Sequence, residues 1–385
     1  MTVPGVRLAV LQPTSLCNLN CSYCYVPGRR EAGLMGDDVI AAAAAFVFAS
    51  APQQGSFRFL WHAGEPLTAG LPFYRRAFAL IAGLAPPRAT VTHVVQTNGT
   101  LVTDAWCELF AEHGVDVGLS VDGPADLHDA TRRTWAGRGS HARVMRGYRL
   151  LREHGFDPGA LCVLTRASLS RPDAIYDFFV EQGFASVGFN VEEAEGAHAT
   201  SSLGRDPSAR VRADYAAFMR RLWRRWRADD SRLRIREFQQ ELSCIHDFQA
   251  DASFVREPDE VIPFGIVTIR KDGGISTFAP ELASSASETY ADFVIGNVLD
   301  AEPAQVLAGE PFRRLADDVA RGRDACRQSC PYYAMCGGGF QSNRLAEHGS
   351  LLATETTTCR VHRQALTDTI LDELARESKA LALTR

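Results

Sequence analysis

Three cysteines near the start of the chain have the spacing of a metal-cluster loop. They stand in the pattern Cys17-x3-Cys21-x2-Cys24. Iron–sulfur clusters usually take four protein thiolates, so a loop of three can hold three irons of a cubane and leaves the fourth iron open to an outside ligand. A zinc site needs a fourth ligand, and no nearby His or Cys supplies one. The spacing therefore favours an iron–sulfur cluster over zinc.

A second group of cysteines lies near the end of the chain. Its members are Cys326, Cys330, Cys336 and Cys359. Four thiolates make a full set for a second cubane, and zinc is the alternative because four thiolates also satisfy that ion. The solitary cysteines Cys107, Cys162 and Cys244 lie in apolar or helical stretches, and we predict that they are ordinary buried thiols.

The composition is that of a globular protein with a substantial core. The chain has 385 residues, of which 46% are apolar and 23% charged, which suggests one large domain and a smaller one. A net charge of −5 gives no global field for nucleic acid or an anionic membrane. The longest apolar run, residues 39–49, is too short to span a bilayer, and the first seven residues carry no secretion signal. We predict a cytoplasmic protein without nucleic-acid or membrane partners. In the reducing cytoplasm, clustered cysteines indicate metal or redox chemistry.

Apolar, β-branched runs alternate with helical patterns through the first 230 residues. The strands are predicted near 7–11, 57–61, 91–95, 115–119, 160–164 and 186–191. The helices are predicted near 39–50, 72–82, 104–113, 141–154, 172–182 and 208–228. This alternation indicates an α/β fold with a parallel sheet, either doubly wound or curved toward a barrel, and periodicity leaves both open.

Polar clusters, three of which contain glycine, follow five of these strands. The cysteine loop follows the first strand, and the others are residues 63–66, 96–99, 120–124 and 190–193. Parallel α/β folds assemble their sites at the carboxyl ends of strands. The five clusters therefore predict one shared active face.

The alternation of strands and helices stops after residue 232. A hairpin is predicted over 261–277 with its turn at 271–274, followed by a cysteine-rich tail and a last helix near 361–381. Residues 196–206 are small and polar and are predicted to form a flexible loop or lid. We divide the chain into a domain of residues 1–235 and a domain of residues 236–385.

Residues 17–25, CNLNCSYCY, resemble the signature of radical S-adenosylmethionine (SAM) enzymes. The resemblance implies that the open iron of a [4Fe-4S] cluster chelates the amino and carboxylate groups of SAM. An electron delivered by a flavodoxin or ferredoxin type of donor then cleaves SAM to a 5′-deoxyadenosyl radical. It also implies a partial (β/α)6 TIM-type barrel, in agreement with the six units predicted above.

The same resemblance implies which residues contact SAM. They are Tyr23, Ala63, Gly64, Glu65, Pro66, Gln96, Asn98, Ser120, Arg132 and Val191. Residues 63–66 resemble the family's Gly-Gly-Glu motif, with Ala63 in place of the first glycine. Arg132 would pair with the SAM carboxylate, although an ion pair with Asp129 is an equal alternative. Val191 would line the adenine pocket, with a plain core position as the alternative.

The C-terminal cysteines resemble a SPASM domain, an extension that carries auxiliary clusters in peptide-modifying relatives. The resemblance implies one auxiliary [4Fe-4S] cluster, although the first spacing has one residue more than is usual. A second auxiliary cluster would need cysteines where Phe278 and Phe340 stand and another within 257–263, where there is none. Ala279 replaces the Asp that accepts a proton in sulfatase-maturing relatives, which disfavours that activity.

Residues 61–66 and 276–282 resemble the subgroup that forms cyclophanes in ribosomally made precursor peptides. The resemblance implies a carbon–carbon cross-link between a side-chain Cβ and an aromatic ring, with the auxiliary cluster as electron acceptor. Glu281 is a candidate proton acceptor, with a capped surface glutamate as the alternative. We expect the leader of the precursor to be recognised by the barrel mouth, the C-terminal domain or a partner. A thioether-forming or epimerising maturase is one alternative. A non-catalytic iron–sulfur electron-transfer protein is another, disfavoured because such a protein needs no SAM motifs.

Overall fold

Ten β-strands of the computed structural model form one sheet, within described residues 5–50, 55–204, 208–230 and 232–383. The strand order is β10-β9-β8-β1-β2-β3-β4-β5-β6-β7. The strands are β1 (Leu8–Leu11), β2 (Ser56–Trp61), β3 (Thr90–Thr97), β4 (Asp116–Ser120), β5 (Gly159–Leu164), β6 (Ser186–Val191), β7 (Arg234–Ile235), β8 (Ile266–Ile269), β9 (Gly274–Thr277) and β10 (Gly296–Asn297).

Helices connect the strands and cover the C-terminal part. The α-helices are α1 (Asp37–Ala49), α2 (Leu71–Leu84), α3 (Asp104–Glu112), α4 (Ala125–Thr131), α5 (His141–Glu153), α6 (Arg166–Leu169), α7 (Pro172–Glu181), α8 (Ser208–Ala228), α9 (Arg236–Ala250), α10 (Pro303–Ala308), α11 (Glu310–Ser329), α12 (Tyr333–Cys336), α13 (Gln341–His348), α14 (Thr357–Cys359) and α15 (Ala365–Leu383). Short 3-10 turns lie at Pro66–Ala69, Asp259–Val261, Pro280–Ser284 and Glu288–Phe293, and a π-helical turn lies at Arg360–Gln364.

The predicted strands and helices of the first 230 residues are confirmed to within two residues at each end. Strands β1 to β6 pair in parallel and in chain order. A doubly wound sheet reverses its strand order at a switch point, and this sheet has no such reversal between β1 and β6. The α/β class is therefore confirmed, and the consecutive order fits the partial barrel that the family resemblance implies.

The hairpin lies where it was predicted, but it belongs to the main sheet. Strands β8 and β9 pair antiparallel, and β8 also pairs in parallel with β1, with Ala9 opposite Val267. All four residues of β8 are buried. Pairing with β1 satisfies the backbone hydrogen-bonding groups of the strand, which an exposed edge would leave unpaired. The sheet thus continues past residue 235, and the division into residues 1–235 and 236–385 stays a prediction.

The C-terminal helix packs back on the parallel part of the sheet through α8. Arg224 of α8 pairs with Glu373 at 2.7 Å, and the Trp223 indole donates to Glu377 at 2.9 Å. The predicted loop at 196–206 lies partly outside the described residues. Across the described ranges, none of the helices is both long and apolar enough to cross a membrane.

Candidate functional site

A cavity of about 240 Å³ opens where the carboxyl ends of the strands meet. The predicted cluster ligands and nearly all the predicted SAM contacts line it. Those lining residues are Cys17, Cys21, Cys24, Tyr23, Ala63, Gly64, Glu65, Gln96, Asn98, Ser120, Arg132, Val191 and Glu281. Pro66 lies outside the lining and begins the 3-10 turn after Glu65. The structure therefore brings the predicted residues together, and their individual roles toward SAM stay predictions.

The segment of residues 131–135 holds the cysteine loop in place. The amides of Asn20 and Ser22 donate to the carbonyls of Arg133 and Thr131 at 2.6 and 3.0 Å. The Trp135 indole donates to the Cys17 carbonyl at 2.8 Å. A loop tied at these points can present its thiols in a fixed arrangement.

The thiols of this loop are free of disulfides and mostly buried. Burial raises the pKa of Cys17 to about 12 and that of Cys21 to about 11. Without a cation these thiols keep their protons at neutral pH, so cluster binding must release protons. The donor set, three free thiols at one end of a cavity, fits three irons of a cubane.

The motif of residues 63–66 has a backbone that only small residues tolerate. Ala63 and Gly64 have φ values of 75° and 56°, in the left-handed region. A Cβ on Gly64 would lie 2.6 Å from the Leu16 carbonyl oxygen, next to the cysteine loop. The buried Glu65 carboxylate accepts hydrogen bonds from Thr97 Oγ1 at 2.6 Å and from the Asn98 amide at 2.8 Å. Glu65 thus fastens the end of β2 to the end of β3.

We expect Gly64→Ala to destabilise the protein by about 2 kcal/mol or more, because a left-handed alanine costs about 1–2 kcal/mol and its Cβ meets backbone. The matched variant Ala63→Gly should change stability by less than about 1 kcal/mol, since the relief of strain offsets the flexibility of glycine in the unfolded chain. Urea denaturation of both variants measures this difference. Equal midpoints for Gly64→Ala and the unchanged protein would refute the steric argument.

Asp122 connects two residues of the cavity lining, Tyr23 and Arg132. It accepts hydrogen bonds from Arg132 Nε at 2.9 Å, from the Val163 amide at 2.9 Å and from the Tyr23 hydroxyl. Burial opposes its charge, but the Arg132 guanidinium holds the pKa of Asp122 below its usual range. The ion pair predicted between Arg132 and Asp129 is wrong. Asp129 instead accepts from the amides of Ser140 and His141, because it faces the start of the next helix.

The remaining predicted SAM contacts lie at the ends of β3, β4 and β6. Gln96 Nε2 donates to Ser120 Oγ at 3.0 Å, so these two groups form one polar unit in the lining. Asn98 Nδ2 donates to Asn18 Oδ1 at 2.8 Å and so ties the end of β3 to the cysteine loop. Val191 is buried yet lines the cavity, which is compatible with both of its predicted roles.

A carboxylate wall of the cavity combines Glu281, which the sequence analysis named, with Glu193 and Glu195, which it did not name individually. Glu193, Glu195 and Glu281 line the cavity. The carboxyl groups of Glu193 and Glu195 hydrogen-bond each other, and Glu195 also accepts from Ser342 and Asn343 at 2.9 and 2.7 Å. Burial raises the pKa of Glu193 to about 6 and that of Glu281 to about 7. The wall can therefore hold protons near neutral pH.

A second cavity of about 200 Å³ leads from this wall into the C-terminal part. Glu193, Glu195 and Glu281 line both cavities. Phe340 and Arg363 line the second cavity and also a small third one, of about 20 Å³, around the C-terminal cysteines. The two cysteine groups are thus joined by a row of neighbouring cavities.

All four C-terminal cysteines face the small cavity. Cys326 and Cys330 lie at the end of α11, Cys336 ends α12, and Cys359 ends α14. Among the described residues, no three His, Cys, Asp or Glu side chains converge on the position of a single metal ion. A cubane binds each thiolate through a different iron and needs a wider arrangement.

Arg344 supplies a buried positive charge beside the C-terminal cysteines, which suits a negatively charged cluster. The residue is 1% exposed, and its guanidinium donates to Cys326 Sγ at 3.1 Å. Its other partners are the carbonyls of Gly338 and Leu351, and within the described chain it has no carboxylate partner. A buried cation needs a nearby anion, and a cluster held by thiolates supplies one.

Comparisons with known proteins agree with this geometry. Residues 11–179 match the family model of the Radical SAM superfamily. An uncharacterized protein of Synechocystis is 40% identical over 98% of this chain and 94% of its own length. A serine-type anaerobic sulfatase-maturating enzyme of Klebsiella aerogenes is 35% identical over 63% of this chain and 62% of that enzyme. The structure of native anSMEcpe with bound AdoMet and Cp18Cys peptide has a TM-score of 0.76 at 22% identity, covers 97% of this chain and 99% of that one, and shows the same fold.

Proposed function

The chain belongs to the radical SAM superfamily, and we propose that it forms a carbon–carbon (cyclophane) cross-link in a ribosomally made precursor peptide. As a member of this family it is an enzyme that acts on a peptide or protein with SAM and a [4Fe-4S] cluster as cofactors. The proposal of a cross-linking reaction rests on the row of cavities. It joins the three-cysteine loop, a buried carboxylate wall and a four-cysteine site.

When bound, SAM and the reduced cluster supply a 5′-deoxyadenosyl radical that removes one hydrogen atom from the substrate. Cys17, Cys21 and Cys24 would hold the cluster, with the loop fixed by its contacts to residues 131–135. Glu65 keeps the motif of residues 63–66 against the end of β3. The apolar side chains of Leu19 and Val191 line the same cavity and limit the access of water.

Formation of the cross-link removes two hydrogens from the peptide. One leaves as a hydrogen atom and becomes part of 5′-deoxyadenosine. After the carbon radical adds to the ring, one proton and one electron must leave to restore aromaticity. The reaction therefore needs a proton acceptor and an electron acceptor close to the cavity.

Glu281 is the proposed proton acceptor. It lines the first and second cavities, and its pKa of about 7 reflects burial and the neighbouring charges of Glu193 and Glu260. A carboxylate this basic takes up a proton near neutral pH more readily than an exposed one. The pair Glu193 and Glu195 shares a proton beside it and gives the proton an onward route.

The four C-terminal cysteines are the proposed site of the electron acceptor, one auxiliary [4Fe-4S] cluster. The positive charge of Arg344 beside Cys326 favours a more reduced, more negative cluster. Phe278 and Phe340 occupy the positions where ligands of a second auxiliary cluster would stand. Phe340 separates the polar cavity from the cysteine site, which leaves an apolar ring between them.

Sulfatase maturation is the second candidate, because the Klebsiella relative carries that name. Ala279, where the family resemblance expects a proton-accepting Asp, argues against it. Membership of an enzyme family also argues against the non-catalytic electron carrier, while thioether formation and epimerisation remain alternatives within the family.

Incubation of the reconstituted enzyme with SAM and a synthetic precursor peptide that contains aromatic residues tests the proposal. We expect a product lighter by two hydrogens, one SAM consumed per link, and deuterium from the attacked Cβ in 5′-deoxyadenosine. Formylglycine made from serine also lacks two hydrogens, but its aldehyde reacts with a hydrazide, whereas a cyclophane does not. A hydrazide-reactive product, or deuterium transferred from Cα, would contradict the cyclophane.

A further inference from the structure

Two arginines that follow the cysteine loop stack on a partly exposed tryptophan, whose own segment carries two more arginines. We call Arg29, Arg30, Arg133 and Arg138, together with Trp135, the arginine patch. The guanidinium carbons of Arg30 and Arg29 lie 4.1 and 5.4 Å from the centre of the Trp135 ring. The other two arginines belong to the same exposed segment as Trp135.

The patch is in direct contact with the backbone of the predicted cluster ligands. Trp135 donates to the Cys17 carbonyl at 2.8 Å, and Arg29 Nη1 donates to the Cys21 carbonyl at 3.3 Å. The Cys17 amide in turn donates to the Arg29 carbonyl at 3.0 Å. These hydrogen bonds link the patch directly to the backbone of two predicted ligands. Arg29 also lines the first cavity, whereas Arg30, Arg133, Trp135 and Arg138 are not part of that lining.

The patch has more positive than negative side chains, because its four arginines face two nearby acids, Glu31 and Asp129. None of its four guanidinium groups forms an ion pair with a described residue, whereas the neighbouring Arg132 is paired with Asp122. Residues 131–139 contain no Asp or Glu, and Glu31 is the one acid within residues 25–36. The patch thus stands out on a chain whose net charge is −5.

We propose that the arginine patch docks an acidic, flavodoxin-type electron donor. The inference rests on the proposed function, because it assumes that Cys17, Cys21 and Cys24 hold a cluster that must be reduced. Carboxylates around a flavin would meet the arginines, and the apolar edge of the flavin would meet Trp135. One electron leaves the reduced flavin and is taken up by the cluster. Complementary charge raises the rate of such encounters and makes it depend on salt.

The test combines the substitutions Arg30→Glu and Arg138→Glu, both at exposed side chains outside the segment that holds the cysteine loop. The control combines Arg88→Glu and Arg149→Glu, which make the same change of charge at exposed arginines elsewhere. Binding of a purified bacterial flavodoxin is measured by calorimetry, and 5′-deoxyadenosine formation is measured with either reduced flavodoxin or dithionite. We expect the patch variant alone to lose at least tenfold in flavodoxin affinity and flavodoxin-driven rate, with its dithionite-driven rate retained.

The outcomes separate this inference from the proposed function. If dithionite drives no SAM cleavage in the unchanged protein, the proposed function fails, while flavodoxin affinity still decides the docking surface. Equal affinity of the patch and control variants for flavodoxin would overturn the inference. Selective binding of a ferredoxin instead would also overturn it, because the proposal commits to the flavin protein.

Discussion

We expect replacement of Cys17, Cys21 and Cys24 by alanine to abolish SAM cleavage and to lower the iron content from about eight to about four per chain, since each cubane has four irons. The three thiols lie at one end of the cavity and no other cysteine lines it, so nothing replaces them. The C-terminal cysteines face a separate cavity and keep their cluster. Iron analysis and absorbance after anaerobic reconstitution measure the loss, and chromatography of 5′-deoxyadenosine measures the activity.

Cys107→Ala and Cys244→Ala provide the matched controls. Both side chains are buried and free, and neither lines a cavity of the row. We expect both controls to keep about eight irons and full SAM cleavage. About twelve irons in the unchanged protein would show three clusters and would contradict the interpretation of Phe278 and Phe340 as positions of a lost one.

The parts of the site that are local in sequence could be predicted from it. Cys17, Cys21 and Cys24 belong to one loop, and residues 63–66 follow directly from β2, so spacing and strand ends were sufficient. Their convergence on one cavity follows from the parallel, consecutive order of the strands. The alternation of apolar runs predicted those strands because each is buried by the helices between them.

The parts that depend on distant segments could not be predicted. Glu195 is paired with Ser342 and Asn343, 147 and 148 residues away, and no periodicity reports such contacts. Three glutamates within residues 192–195, at the end of β6, were the sequence feature that could have indicated the carboxylate wall. Arg132 forms its ion pair with Asp122 and not with Asp129, which is nearer in sequence. The direction of the Arg132 side chain at the end of α4 decides the partner.

Replacement of Cys336 or Cys359 by alanine should leave SAM cleavage in place and stop the formation of the cross-link. The cluster at Cys17, Cys21 and Cys24 lies in another cavity, so SAM cleavage persists. Cross-linked product falls below detection, because no acceptor takes the electron that the ring must lose. Mass spectrometry of the peptide and 5′-deoxyadenosine chromatography give the two readouts, and Cys244→Ala is the control that retains both. Full product from either variant would remove the auxiliary cluster from the mechanism.

A misfolded C-terminal domain would also abolish the product, and isotope transfer distinguishes the two causes. If only the electron acceptor is lost, a peptide with deuterium at the attacked Cβ still docks and still gives that deuterium to 5′-deoxyadenosine. If the domain is disrupted, Ser342 and Asn343 no longer hold Glu195, and the carboxylate wall of the first cavity is lost with them. The peptide then docks poorly and deuterium transfer disappears. Retained transfer without cross-linking therefore assigns the C-terminal cysteines to electron removal.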